Sequence, residues 1–314
     1  MADNKYIYAV ARIRALELGL LNDSFIEQLI ASPDVQSAQR LLNEKGWDED
    51  LTLEEEKTRK TMKELGVDMK LFDVLTLPKL YHNLKAAIKQ TISPEAESHA
   101  FYDLPDYGRE AMLKIVTTKD YSALPAHMQK VAKEAYETYL HTQDGQLCDV
   151  MVDKACLEAI GAAGEKAAEK VVRDYAQTTV EVADIKIAVR CAATGKSAEF
   201  ASKALAKCKG LNVSELSRAI ALGPEKTIEY LRKTAWSEAA DALEESTSAF
   251  ERWCDNRMID TMKPQKMDPF SIGPIFAYAI ARQNEIKTVR IILLGKANGL
   301  SESGIRERVR KMYG

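Results

Sequence analysis

Apolar residues recur three and four positions apart along almost the whole chain, as in Phe25, Leu29 and Ile30, or Leu157, Ile160 and Ala163. That spacing follows the 3.6-residue turn of an α-helix, and strict alternation of the kind a half-buried strand needs is scarce. The expected fold class is all-α. Several prolines stand where helices should begin: Ser32-Pro33-Asp34, Ser93-Pro94-Glu95 and Gly223-Pro224-Glu225. Each offers a cap residue, a proline at the first helical position and an acid at the positive end of the helix dipole.

A chain of 314 residues is too long for one comfortable core, and the sequence repeats itself. Pro33-Asp34, Pro105-Asp106 and Pro224-Glu225 each open an apolar helix that reaches Leu41-Leu42, Leu113 or Tyr230-Leu231. An aromatic follows each: Trp47, Tyr121 or Trp236. A second cluster comes about four helical turns later: Thr61–Leu65, Ala135–Tyr139 or Ala249–Trp253. A closing helix then carries a polar–apolar–basic signature, Asn83-Leu84-Lys85, Asp184-Ile185-Lys186 or Thr288-Val289-Arg290. The last two have an acid three residues earlier, Glu181 and Glu285. Four landmarks in one order, three times over, predict three similar helical domains at 1–100, 101–203 and 204–314. A pseudo-threefold, funnel-like arrangement is the expected architecture, with Tyr6 to Leu20 serving the first copy as a preceding closing helix.

Charge and composition exclude several functions. Lys+Arg 44 against Asp+Glu 47 gives a net charge of −3, so nothing draws the chain toward nucleic acid. The five cysteines form no CxxC pair and the four histidines show no zinc-ligand spacing, so no metal site is expected. They read as small core residues in a reducing compartment. The N-terminal stretch carries charges where a signal peptide is apolar, and no eighteen-residue run is free of charge, which predicts a cytoplasmic protein without a membrane span.

No catalytic or cofactor-binding residue stands out. Gly195-Lys196-Ser197 ends like a phosphate-binding loop, but Arg190 occupies the place of the glycine five residues earlier. Gly195 is expected instead to cap a helix C-terminus, and no direct nucleotide binding is expected. The acidic run Glu54-Glu55-Glu56 reads as a solvated helix face, with i,i+4 partners in Arg59 and Lys60. His82 reads as a packing or surface residue. The basic residues Arg12, Arg14, Lys85, Lys186, Arg190 and Arg290 are candidate partner-binding residues: related by a threefold axis, they would ring a face that suits an acidic or dipolar partner. Read singly, they are ordinary solvated or snorkelling side chains.

The opening YIYAVARIRALELGLL, the stretches LYHNLKAAIK (80–89) and DIKIAVR (184–190), and above all Gly273 to Gly314 together resemble the C subunit of bacterial and archaeal V/A-type rotary ATPases, the counterpart of the eukaryotic d subunit. The resemblance spans essentially the whole chain. Leu80 stands where the family often has an acid, and Thr288 where asparagine is more usual. The resemblance implies a non-catalytic central-stalk component, a funnel of three helical domains, peripheral on the cytoplasmic face of the membrane. It would join the rotating shaft (the D and F subunits) to the membrane proteolipid rotor ring, so that ATP hydrolysis or synthesis is linked to proton or sodium transport. No cofactor is implied. A solenoid scaffold and a helical enzyme whose site assembles only in three dimensions are the alternatives.

Overall fold

The computed structural model describes residues 6–93 and 100–314. Among these residues the structure is helical, without strands. The first eight helices are α1 (Ile7–Glu17), α2 (Asp23–Ala31), α3 (Val35–Glu44), α4 (Leu51–Glu64), α5 (Asp73–Ile92), α6 (Arg109–Thr118), α7 (Ala126–Thr142) and α8 (Gly145–Lys166). They are followed by α9 (Lys170–Ala193), α10 (Ala198–Ala204), α11 (Val213–Ala221), α12 (Pro224–Arg232), α13 (Ser237–Glu245), α14 (Thr247–Met262), α15 (Gly273–Ala297) and α16 (Glu302–Arg306).

Contacts divide the chain into two units. The first comprises Met1–Leu71, Ala167–Thr178 and Trp236–Gly314, and so packs the opening of the sequence with its end. Its core joins α2 and α3 to the second half of α15: Phe25, Ile26, Leu29 and Ile30 meet Ile286, Val289 and Ile292, with Ala38, Leu42, Trp47 and Ile305 in the same cluster. These helices present apolar side chains at helical spacing, and each fully buried aliphatic contributes about 1.5–3 kcal/mol. The first turns of α15, from Gly273 to Arg282, are buried on every side. That is why this stretch lacks an amphipathic stripe.

The second unit comprises Phe72–Lys166 and Thr179–Ala235. Here α8 packs on α5 and α7, and α5 also packs on α6. The buried residues include Leu84 and Ile88 of α5, Met112 and Val116 of α6, Met128 and Ala132 of α7, and Cys148 and Val152 of α8. Alanines and cysteines at these contacts let the helix backbones approach closely. Cys148, Cys156, Cys191 and Cys254 are free and buried, and Cys208 is free and half-buried.

Local punctuation follows side-chain chemistry, with two corrections to the sequence reading. Gly223, at φ 106°, caps α12 with Pro224 at its first position, as the sequence predicts. Ser32-Pro33 stays outside α3, because Asp34 is itself the cap, accepting the Ser37 N–H at 2.7 Å. Pro105-Asp106 lies in a turn and opens no helix; α6 begins at Arg109, behind Gly108. An aspartate binds the free amides of a first turn directly, and proline is only permissive there. Of the Ser93-Pro94-Glu95 start, Pro94 and Glu95 lie outside the described residues. Gly195 ends α9 at φ 62°, and the Lys196 N–H reaches back to the Cys191 carbonyl at 2.9 Å. That is the glycine-capped helix end predicted for the GKS stretch.

Candidate functional site: buried clamps and basic residues of the closing helices

The three closing signatures fall on α5, α9 and α15, which are 20, 24 and 25 residues long. The polar residue of each signature is fully enclosed: Asn83 and Thr288 are 0% exposed and Asp184 1%. A buried polar group costs free energy unless it is hydrogen-bonded, so its partner says why it is there. Asn83 Oδ1 accepts the Tyr102 N–H at 2.8 Å, and its Nδ2 donates to the Tyr102 and Tyr107 carbonyls, both at 2.9 Å. Asp184 Oδ1 accepts the Ala206 N–H at 3.0 Å, and Glu181 Oε1 accepts the Gly210 N–H at 2.8 Å. Glu285 Oε1 accepts the Leu21 N–H.

These side chains are clamps on connecting segments. Asn83 holds the connector that leads into α6; Glu181 and Asp184 hold the one that leads into α11; Glu285 holds the one that leads into α2. The amides they occupy would otherwise be unsatisfied in the interior. The connectors themselves correspond: Asn22 caps α2 through the Phe25 N–H at 2.9 Å, and Asn212 caps α11 through the Glu215 N–H at 3.2 Å. Leu21 and Leu211, just before them, are both buried. Trp47 and Trp236, the aromatics of copies one and three, are 6% and 5% exposed, whereas Tyr121 is half-buried. In the first two copies the polar residue of the motif is itself a backbone clamp; in the third the buried Thr288 hydroxyl has no hydrogen-bond partner among the described residues and Glu285, one turn earlier, does the clamping, a division that periodicity alone does not reveal.

Burial works on the acids among them. It pushes Asp184 up to about 7, against the Ala206 amide, Cys208 and Lys154, which favour the charged form, while Glu181 adds to the rise. Glu285 is pushed up to about 7 by burial, opposed by Arg282 and the Leu21 amide. Arg282 bridges two buried carboxylates, Glu54 at 2.6 Å and Glu285 at 2.5 Å, with its guanidinium 4.6 Å from the ring centre of Trp47. Glu54, read from the sequence as part of a solvated face, is only 3% exposed. It also accepts the Asp48 N–H at 2.9 Å and pairs with Lys57 at 2.6 Å. Its helix turns one acid inward while Glu56 remains outside.

The six candidate basic residues separate into two groups. Arg12, Arg190 and Arg290 are exposed. Arg14 is half-buried, pairs with Glu17 at 2.7 Å and donates to the Lys266 carbonyl. Lys85 is engaged with Asp153 at 2.6 Å, and Lys186 is half-buried. In the first unit a cleft of about 340 Å³ runs beside α13 and α14. Its bases are each paired with an acid of the lining, Lys311 with Asp260 at 2.6 Å, Arg252 with Glu245 at 3.5 Å and Arg257 with Glu238 at 4.0 Å. Among the described residues no three His, Cys, Asp or Glu side chains are grouped to hold a metal ion, and no helix is long and apolar enough to cross a membrane.

Residues 9–308 match the family described as ATP synthase (C/AC39) subunit. The chain belongs to that family. Among C/AC39 relatives, the C subunit of the V-type sodium ATPase of Enterococcus hirae is 21% identical over 317 residues, covering 96% of this chain and 97% of its own. The C subunit of the A-type ATP synthase of Methanocaldococcus jannaschii is 24% identical, covering 96% of this chain and 85% of its own. That of Haloquadratum walsbyi is 26% identical over a shorter stretch, 43% of this chain and 41% of its own. The C/AC39 match includes all three closing helices and all the clamps.

Proposed function

We propose that this protein is the non-catalytic C subunit of a V/A-type rotary ATPase, a socket that couples the rotating shaft (the D and F subunits) to the membrane proteolipid ring. The end-to-end similarity to proteins named as the C subunits of both a V-type and an A-type enzyme carries this reading. ATP chemistry belongs to other parts of the complex, and the chain's contribution is stiffness: torque passes through it, linking hydrolysis or synthesis to proton or sodium movement. It works at the cytoplasmic face of the membrane, peripheral to it.

The clamps support a mechanical role. A torque-bearing adaptor must not let its connectors slide against its helices, and here α5 and α9 each hold the connector that follows them while α15 holds the one between α1 and α2, all by side-chain hydrogen bonds to backbone amides. The three segments 1–100, 101–203 and 204–314 act in this proposal as similar units about a pseudo-threefold socket. Their correspondence is chemical: the third closing helix holds the start of the first segment, as the first holds the start of the second. Exposed Arg12, Arg190 and Arg290 steer an acidic partner, so docking is weakened by salt.

The test is capture of the tagged chain from detergent-solubilised membranes of its source. Recovery of the shaft pair together with a small proteolipid is the expected result. Recovery of the chain alone, or with unrelated soluble proteins, overturns the assignment.

A further inference from the structure

The first helix, α1, is apolar on two opposite sides. Ala9, Val10 and Ile13 are buried in the first unit. The outward residues of the helix are Ile7, Tyr8, Ala11, Arg12 and Ala15, and Leu18 follows at its end. Tyr8 is 68% and Leu18 89% exposed. Of the five outward residues only Arg12 is charged, whereas six of the eight outward residues of α4 are. A single exposed leucine is ordinary on a protein surface, but a helix face almost emptied of charge marks a contact. Leu18 and Met267 are the two most exposed large apolar side chains among the described residues, and they flank one hydrogen bond. Arg14, one turn before Leu18, donates to the carbonyl of Lys266, the residue before Met267. This end of the α1 face therefore adjoins the segment leading into α15.

We propose that the outer face of α1 is a docking seam for an amphipathic helix of a partner protein, one that carries a carboxylate beside its apolar stripe to meet Arg12. Tyr8, Ala11, Ala15 and Leu18 stand three, four and three residues apart, the spacing by which one helix packs along another. The two alanines in the middle let a second backbone come close, and Tyr8 and Leu18 close over its ends. Arg12 stands beside this line, exposed and paired with no acid among the described residues. Charge in such a flanking position selects the partner of a packed helix.

A second copy of this chain does not fit the seam. The outward residues of α1 include no acid, and Glu17 is half-buried and already paired with Arg14 at 2.7 Å. The seam rests on the faces of α1 and does not depend on the rotary-ATPase assignment.

The probe is a fluorescein-labelled synthetic helix with leucines at the same three-four spacing and glutamates flanking them, titrated with the full chain and read by anisotropy. Saturable binding is expected, weakened about tenfold by Leu18→Glu, a change at a side chain exposed enough to leave the fold intact. Arg12→Glu should weaken it several-fold and reverse the preference, favouring a matched peptide with lysines in place of the glutamates. Absence of saturable binding, binding that Leu18→Glu leaves unchanged, or equal affinity of the unaltered chain for the two peptides overturns the seam. So does a dimer of the chain that Leu18→Glu dissociates in sedimentation, which assigns the face to a second copy.

Discussion

Asn83 grips the backbone of Tyr102 from both sides, accepting its N–H at 2.8 Å and donating to its carbonyl at 2.9 Å. A side-chain amide is the one uncharged group that can copy a peptide in this way. Asn83→Ala leaves these groups, and the Tyr107 carbonyl, without their partner. The expected loss is about 1–3 kcal/mol, read as a lowered denaturation midpoint with an unchanged slope. Asn83→Asp keeps the acceptor, loses the donor and buries a charge, so it should be at least as damaging.

Gly210 is required by its neighbour. A methyl group there would stand 2.6–2.7 Å from the three carboxyl atoms of Glu181. Gly210→Ala must push that carboxylate off the amide it holds, costing on the order of 1–3 kcal/mol. In a double-mutant cycle with Glu181→Ala the two losses should be clearly less than additive, since both break one contact. Simple additivity would dissociate the glycine from the clamp.

Asp184 makes stability depend on pH. Its folded-state value is raised from 3.8 to about 7, so the folded state binds the proton more tightly than the unfolded chain. The associated stability is present in full below pH 3.8 and is lost as pH rises through 7. Asp184→Asn should flatten the stability profile between pH 4 and 7, an effect on the order of 3–4 kcal/mol, leaving the Glu285 contribution in place. Urea titrations of both proteins across that range measure it.

The basic residues should behave according to exposure. Charge reversal at Arg12, Arg190 and Arg290 should change stability by less than about 0.5 kcal/mol each. It should also weaken capture of an acidic partner and reduce its sensitivity to salt. Lys85→Glu meets Asp153, its present partner at 2.6 Å, and should lower stability by up to about 1 kcal/mol with less effect on binding. Equilibrium unfolding and binding at two ionic strengths distinguish the two classes.

Much of the molecule is written in short stretches of its sequence. The helical period, the capping of α9 by Gly195 and of α12 through Gly223-Pro224, and the placement of the three closing signatures on long helices all depend on residues within a turn or two. Such signals can be read locally, because they concern backbone geometry and the free amides of helix ends. The same reading misplaced the starts at Pro33 and Pro105, where proline permits a helix but a neighbouring side chain or a turn sets the boundary. What only the tertiary structure decided is the meaning of the polar residues. Glu54 looks like any acid on a solvated helix until Arg282, 228 residues later, meets it in the interior. Asn83, Asp184 and Glu285 are recognisable as a recurring pattern, yet their work as clamps depends on amides supplied by connectors elsewhere in the chain. The fate of a charge or an amide depends on whether water is excluded and which partner replaces it, and that is fixed by long-range packing rather than by local sequence.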